Sequence, residues 1–223
     1  MGYAALKLSV ENVGKVWNAS DKIKLVEVAR NLKEVVVQNN NFKNTITLND
    51  FTQFSGPYYG SGNYIAQLAQ HFIAPSENAL LTGIKIAKLS IPILFPQKAI
   101  FRIRVYDVDP ISRQPANDLT DQIIEVKATG KLVEVNVEKY KISIPNKEFF
   151  VAIEWLRIPY NANESTINGK KYIFYAPSIG RNNVSSINMD KWELGLNNVW
   201  SKLPQNFQLN SNKNLAIAVS LKY

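Results

Sequence analysis

Apolar residues fall on every second position through the middle of this chain. In residues 101–156, Phe101, Ile103 and Val105 share one side of an extended segment while Arg102, Arg104 and Tyr106 take the other. That is the two-residue period of a half-buried β-strand. The alternation returns at Leu132, Val133, Val135 and Val137, and again at Phe149, Val151, Ile153 and Trp155. Between these runs lie Asp109-Pro110, Pro115-Ala116-Asn117-Asp118 and Ala128-Thr129-Gly130-Lys131. Such residues favour local chain reversal, so the pattern predicts a meander of antiparallel strands joined by loops and not by helices.

Outside this stretch the pattern is more broken. Weak strand character spans 45–54, and 64–72 reads as a strand, with a short helix as the alternative. A firmer strand covers 80–89; beyond it Pro92 and Pro96 fit only an edge or a loop. Residues 159–170 and 178–188 read as loops around a short strand at 172–175, and 192–200 is interrupted by Gly and Asn. The closing stretch sets Leu215, Ile217, Val219 and Leu221 on one side of a terminal strand. Roughly eight to ten short strands with no covering helix predict an all-β, jelly-roll-like antiparallel β-sandwich, with an immunoglobulin-type sandwich as the structural alternative. Residues 1–38 predict three more short strands, at 3–10, 23–28 and 32–37. These form a short N-terminal β appendage too small to bury much of a core alone. Asn39-Asn40-Asn41 is the expected boundary, giving domains 1–38 and 42–223.

Composition narrows the classes. With 223 residues, 46% hydrophobic and 11% aromatic, the chain can bury a substantial core. Its 26 Lys and Arg against 18 Asp and Glu give +8, but the basic residues are dispersed singly, so no nucleic-acid partner is expected. Cysteine is absent, which removes disulfides, thiolate metal sites and cysteine nucleophiles together. No apolar run reaches the ~20 residues of a membrane span, and no signal peptide opens the sequence.

Two stretches carry a resemblance. Gly2-Tyr3, then Lys24-Leu25, then Leu32-Lys33-Glu34-Val35-Val36-Val37 resemble the closing third of the carboxypeptidase-like regulatory module of Bacteroidetes envelope proteins. Met1 falls where that family has an internal residue, leaving open whether the module's earlier strands lie upstream. The second stretch is similar to the uncharacterised β-sandwich domain that follows this module. Its marks are Phe101-Arg102-Ile103-Arg104-Val105-Tyr106-Asp107, Pro115 with Asp118-Leu119, Tyr140 to Pro145, Phe149 to Trp155, and Leu215-Ala216-Ile217-Ala218-Val219. The resemblance implies a cell-envelope address, periplasmic or outer-membrane-associated, and a non-catalytic binding or assembly module whose partner is an envelope protein or a glycan. Protein–protein interaction is the first expectation, through unpaired edges of the N-terminal strands.

Chemistry-bearing residues are few. His71 is the single histidine, too little for a histidine-rich metal site and a thin basis for a triad. Glu154 fits either the acid of a glycoside-cleaving pair or a cross-strand partner of Arg102 or Arg104, the latter preferred because no second carboxylate is marked by spacing. Asp107, Asp109, Asp118 and Asp121 gather around one turn. Calcium takes oxygen ligands of this kind, whereas Asp beside Pro or Asn is also ordinary turn chemistry. Calcium is thus the one cofactor to consider. Tyr58, Tyr59, Tyr64, Trp192 and Trp200 lie in Gly- and Asn-rich segments, where aromatic rings can stack on sugars or, for Trp192 and Trp200, plug the end of the sandwich. A carbohydrate-binding sandwich is therefore the alternative function, and a glycan-active enzyme a lesser one. Sequons at Asn18, Asn163 and Asn183 matter only in a eukaryotic secretory setting.

Overall fold

A computed structural model describes residues 2–3, 27–28, 42–61, 64–89, 98–183, 189–203 and 213–223. The chain divides into two compact units, Met1–Asn41 and Phe42–Tyr223. In the first, β1 (Gly2–Tyr3) and β2 (Glu27–Val28) pair antiparallel. Most of the strands expected at 3–10 and 23–28, and all of that at 32–37, lie outside the described residues.

The second unit is an antiparallel β-sandwich. Its strands are β3 (Thr45–Leu48), β4 (Phe54–Ser61), β5 (Ile65–Ile73), β6 (Ala79–Leu89), β7 (Ala99–Val108), β8 (Pro115–Asp118), β9 (Ile124–Ala128) and β10 (Leu132–Asn136). They continue with β11 (Ser143–Ile144), β12 (Glu148–Trp155), β13 (Ala162–Ile167), β14 (Lys170–Asn182), β15 (Lys191–Gly195), β16 (Trp200–Lys202) and β17 (Ile217–Lys222). One sheet contains eight of these strands and the other seven.

The pairings nest. β3 pairs with β17, β5 with β12, β6 with β10, and β7 with β9, the pattern of one long hairpin. Two further ladders, β17 with β6 and β12 with β7, roll that hairpin into two sheets, β3-β17-β6-β10 and β5-β12-β7-β9. This is jelly-roll topology, built from two interlocked Greek keys. The segments β13 to β16 are inserted between the last two strands of the roll and widen both sheets at their edges.

Alternation explains the core. Phe101, Ile103 and Val105 of β7 and Phe149, Val151 and Ile153 of β12 are fully buried between the sheets, as are Leu215, Ile217, Val219 and Leu221 opposite them. Each such side chain contributes about 1.5–3 kcal/mol by leaving water. Gln70 is a fully buried polar residue in this interior. Its Oε1 accepts from the Leu215 N–H at 2.6 Å and its Nε2 donates to the Ile217 carbonyl at 3.3 Å, so a buried amide links the two sheets where the terminal strand enters.

Four expectations change. The central stretch is not a meander: β9 and β10 lie in different sheets, and β12 returns to β7. The turn at 129–131 is therefore a corner between sheets, a distinction that turn chemistry cannot make. Pro115–Asp118 is not a turn but the edge strand β8, with Pro115 at its first position, where a missing N–H costs no ladder bond. The supposed loop at 159–170 contains β13, closed onto β14 by Asn168-Gly169, both at positive φ (51° and 76°), the requirement of a tight I′ hairpin. Finally, β14 runs on to Asn182 through Pro177 and Gly180, because both of its flanks are covered by β4 and β6. Residues 62–63, 90–97 and 184–188, with Gly62, Pro92, Pro96 and the end of the 178–188 loop, lie outside the described residues. No helix among the described residues is long and apolar enough to cross a membrane.

Candidate functional site

The β15–β16 hairpin carries the strongest candidate. Its loop is Leu196-Asn197-Asn198: the Asn198 N–H donates to the Gly195 carbonyl (3.0 Å), the Gly195 N–H donates to the Val199 carbonyl (3.0 Å), and Asn198 sits at φ 60°. A turn followed by one left-handed residue is a standard three-residue hairpin loop, and Asn tolerates that region best after Gly. The Asn197 side chain holds it, Oδ1 accepting from the Val199 N–H at 3.2 Å. A Cβ at position 195 would meet Asn197 Oδ1, so a larger residue there would turn that side chain aside. The loop is then tied to the start of β5, the Leu196 N–H donating to the Tyr64 carbonyl at 2.8 Å.

That tie creates a notch. Tyr64, Ile65, Glu193, Gly195, Leu196, Asn197, Val199 and Ser201 line a cavity of about 560 Å³, within the roughly 300–1,000 Å³ typical of small-molecule sites. Tyr64 is 80% exposed, Leu196 52% and Val199 54%, so its rim is apolar and open. Glu193 is directed into it by strand parity, because Trp192 and Leu194 align with Ala69 and Gln67 on the outer face of the sheet. Burial pushes the Glu193 carboxyl above its ordinary value.

Trp192 and Trp200 belong to that outer face. They stand in paired strands and not in loops, and they pack away from the notch. Ala69 of β5 and Ala152 of β12 are adjacent in the ladder and too small to cover themselves. Tyr106 fills the space beside them, its hydroxyl donating to Gln67 Oε1 at 2.8 Å and its ring meeting Trp200 edge-on at 5.7 Å. Trp192, 8% exposed, completes the cluster, with its indole N–H buried and without a hydrogen-bond partner among the described residues. Tyr58 and Tyr59 lie in β4. Of the three candidates whose side chains are described, Tyr64 stands on the notch and the two tryptophans on the opposite face.

The cross-strand pairing of Glu154 is present: its carboxylate lies 3.7 Å from Arg102 and 3.9 Å from Arg104. The aspartates of the acid-rich turn also have partners. Asp107 accepts from the Asn117 N–H (2.5 Å) and side-chain amide (3.1 Å), and Asp109 accepts from the N–H groups of Ile111 (2.9 Å) and Ser112 (2.7 Å). Asp118 takes a two-pronged contact from Arg104. Asp121 lies beyond β8 on an exposed stretch. Among the described residues no group of three or more acidic, His or Cys side chains is arranged to hold a metal. His71 Nε2 lies 2.9 Å from Glu148, which Arg113 also grips. Burial lowers the His71 pKa, outweighing the upward pull of Glu148.

Sequence reasoning missed Glu193, Leu196, Asn197, Val199 and Ser201. The signal was the Gly195 to Asn198 run between alternating residues, a hairpin cue. Compared with family models, curated proteins and solved structures, the chain matches none.

Proposed function

We propose that this chain is a non-catalytic carbohydrate-binding module of a bacterial cell envelope, with the notch beside the β15–β16 hairpin as its sugar site. The observation that carries the reading is the exposed Tyr64 beside a cavity whose lining includes Glu193, Asn197 and Ser201 and so offers a carboxylate, an amide and a hydroxyl. Sugar recognition needs these two elements together, a flat apolar face for the ring carbons and hydrogen-bonding groups for the hydroxyls. The non-catalytic part is supported by the lining itself, where Glu193 is the single carboxylate, whereas glycoside cleavage takes two. The envelope address rests on the sequence resemblance.

Titration against a panel of neutral and charged oligosaccharides tests it. Binding is expected to weaken at least about tenfold in Tyr64→Ala, equivalent to about 1.4 kcal/mol, with an unchanged melting temperature because the ring is exposed. No binding at millimolar sugar, or undiminished binding by Tyr64→Ala, overturns the assignment. The apolar rim of Leu196 and Val199 favours a second reading, a protein partner seated on the same corner. A photo-crosslinker at position 64 that captures one discrete envelope protein, with none captured from exposed Ile111, together with a blank sugar panel, would select that reading.

A further inference from the structure

The charge distribution around the notch goes further than sugar binding in general. Most carboxylates of the sandwich with a described partner face a cation: Asp50 faces Lys85, Asp118 faces Arg104, Glu138 faces Lys222, Glu148 faces His71 and Arg113, Glu154 faces both Arg102 and Arg104, and Asp190 faces Lys202. Glu193 does not. Among the described residues its carboxylate makes no ion pair and no hydrogen bond, and the other residues lining the notch carry no charge at neutral pH. The nearest cation along its own strand is Lys191, on the same side two residues away; its ammonium donates to the Met189 carbonyl at 3.4 Å and feels the charge of Asp190. Removal from water is the sole cause of the upward shift in the Glu193 carboxyl, as expected for an acid with no compensating partner.

A half-buried carboxylate in a cavity, left without a counter-charge beside an open aromatic ring, is matched to one ligand chemistry. A cation would recover the desolvation cost through a charge-assisted hydrogen bond and would gain attraction from the ring face. Resting on the carbohydrate reading, we propose that the notch selects sugars bearing a free amine, whose ammonium pairs with Glu193 and lies against Tyr64. Ser201 and Asn197 are left to meet the neighbouring hydroxyls.

The test compares three oligosaccharides of equal length, a free-amine glucosamine oligomer, its N-acetylated counterpart and a neutral glucose oligomer, on wild type and on Glu193→Gln. The amine oligomer is expected to bind wild type about tenfold or more tightly than the other two, a factor typical of one charge-assisted contact. Glu193→Gln should erase that preference, so that on the variant the amine oligomer binds no more tightly than the N-acetylated and neutral oligomers. An unchanged melting curve shows that the variant is folded. Equal affinity for all three sugars, or an amine preference that persists in Glu193→Gln, overturns amine selection and leaves the carbohydrate reading standing. If no oligosaccharide binds while a lysine-rich peptide binds in a Glu193-dependent way, the carbohydrate reading and the amino-sugar assignment fall together.

Discussion

The two edges of the second sheet handle acidic side chains in opposite ways. At the β8 edge, three aspartates crowd one turn and each is spent on its own surroundings: Asp107 and Asp109 on nearby N–H groups, Asp118 on Arg104. At the β16 edge a single glutamate stands in a notch with no partner among the described residues. Acid density marks the first and solitude the second. A carboxylate answered by backbone donors has done its work in shaping the loop, whereas one that keeps its desolvation cost is available to a ligand. The stronger site is therefore the one with fewer acids.

If the β8 edge is structural, its largest expected effect is on stability. Arg104 faces Asp118 and, at 3.9 Å, Glu154, and its guanidinium lies 5.9 Å from the centre of the Tyr106 ring. Arg104→Met removes a partner from two part-buried carboxylates, and about 2 kcal/mol of unfolding free energy should be lost, between the values for exposed and buried pairs. Sugar affinity should not move. Urea denaturation beside a binding titration measures both, and a loss of binding without loss of stability would erase the contrast between the edges.

His71 supplies the next effect, one that depends on pH. Its neighbours are Glu148, Arg113 and Asp190. Burial holds its pKa below the ordinary 6.5, so in that window the unfolded chain binds a proton that the folded chain resists. Stability is therefore complete above about 6.5 and falls as pH drops below it. His71→Gln should flatten that part of the profile. A melting temperature in wild type that rises on acidification through the same range would show that the pair with Glu148 governs instead.

These edges differ in how far the sequence discloses them. The core strands were readable because 101–105, 149–155 and 215–221 set large apolar side chains on every second position, although Phe150, Ala152, Ala216 and Ala218 between them are buried as well. Their assignment to sheets was not, because a reversal at 129–131 looks the same whether the next strand pairs with its predecessor or crosses to the other layer. Pro115 reads as part of a turn, yet it opens an edge strand, and the short strand expected at 172–175 runs on through Pro177 as β14. Tyr64 was legible as an exposed aromatic. Glu193 was hidden by its context, since strand parity between Trp192 and Leu194 shows only that it faces the other way. What it faces depends on a hairpin folding back to Tyr64, a contact 132 residues distant at the Leu196 N–H.

Glu193 also predicts a small stability effect with the opposite pH sense to His71. The native carboxyl keeps its proton to higher pH than the ordinary 4.5 of the unfolded chain, so stability is full below that value and declines as pH rises through the raised native one. Glu193→Gln removes the decline, leaving the variant at neutral pH as stable as wild type or slightly more so. Thermal melts of the two proteins between pH 4 and 7 would show converging curves at the acid end. A variant less stable than wild type at neutral pH would mean that the carboxylate has a structural partner.

The smallest expected effect sharpens the contrast most. A calcium ion held by Asp107, Asp109, Asp118 and Asp121 at a dissociation constant of about 0.1 mM would add about 2.7 kcal/mol of stability at a hundredfold excess, a shift of a few degrees or more in a domain of this size. To bind, the ion would have to displace the Ile111, Ser112 and Asn117 N–H groups and Arg104 from carboxylates they already occupy, losing those bonds for every ligand gained. Melting in 10 mM calcium should therefore match melting in chelator. A calcium-dependent rise abolished by Asp109→Asn would make the acid-rich turn a true ion site, and the rule that unanswered groups mark the functional edge would fail in this fold.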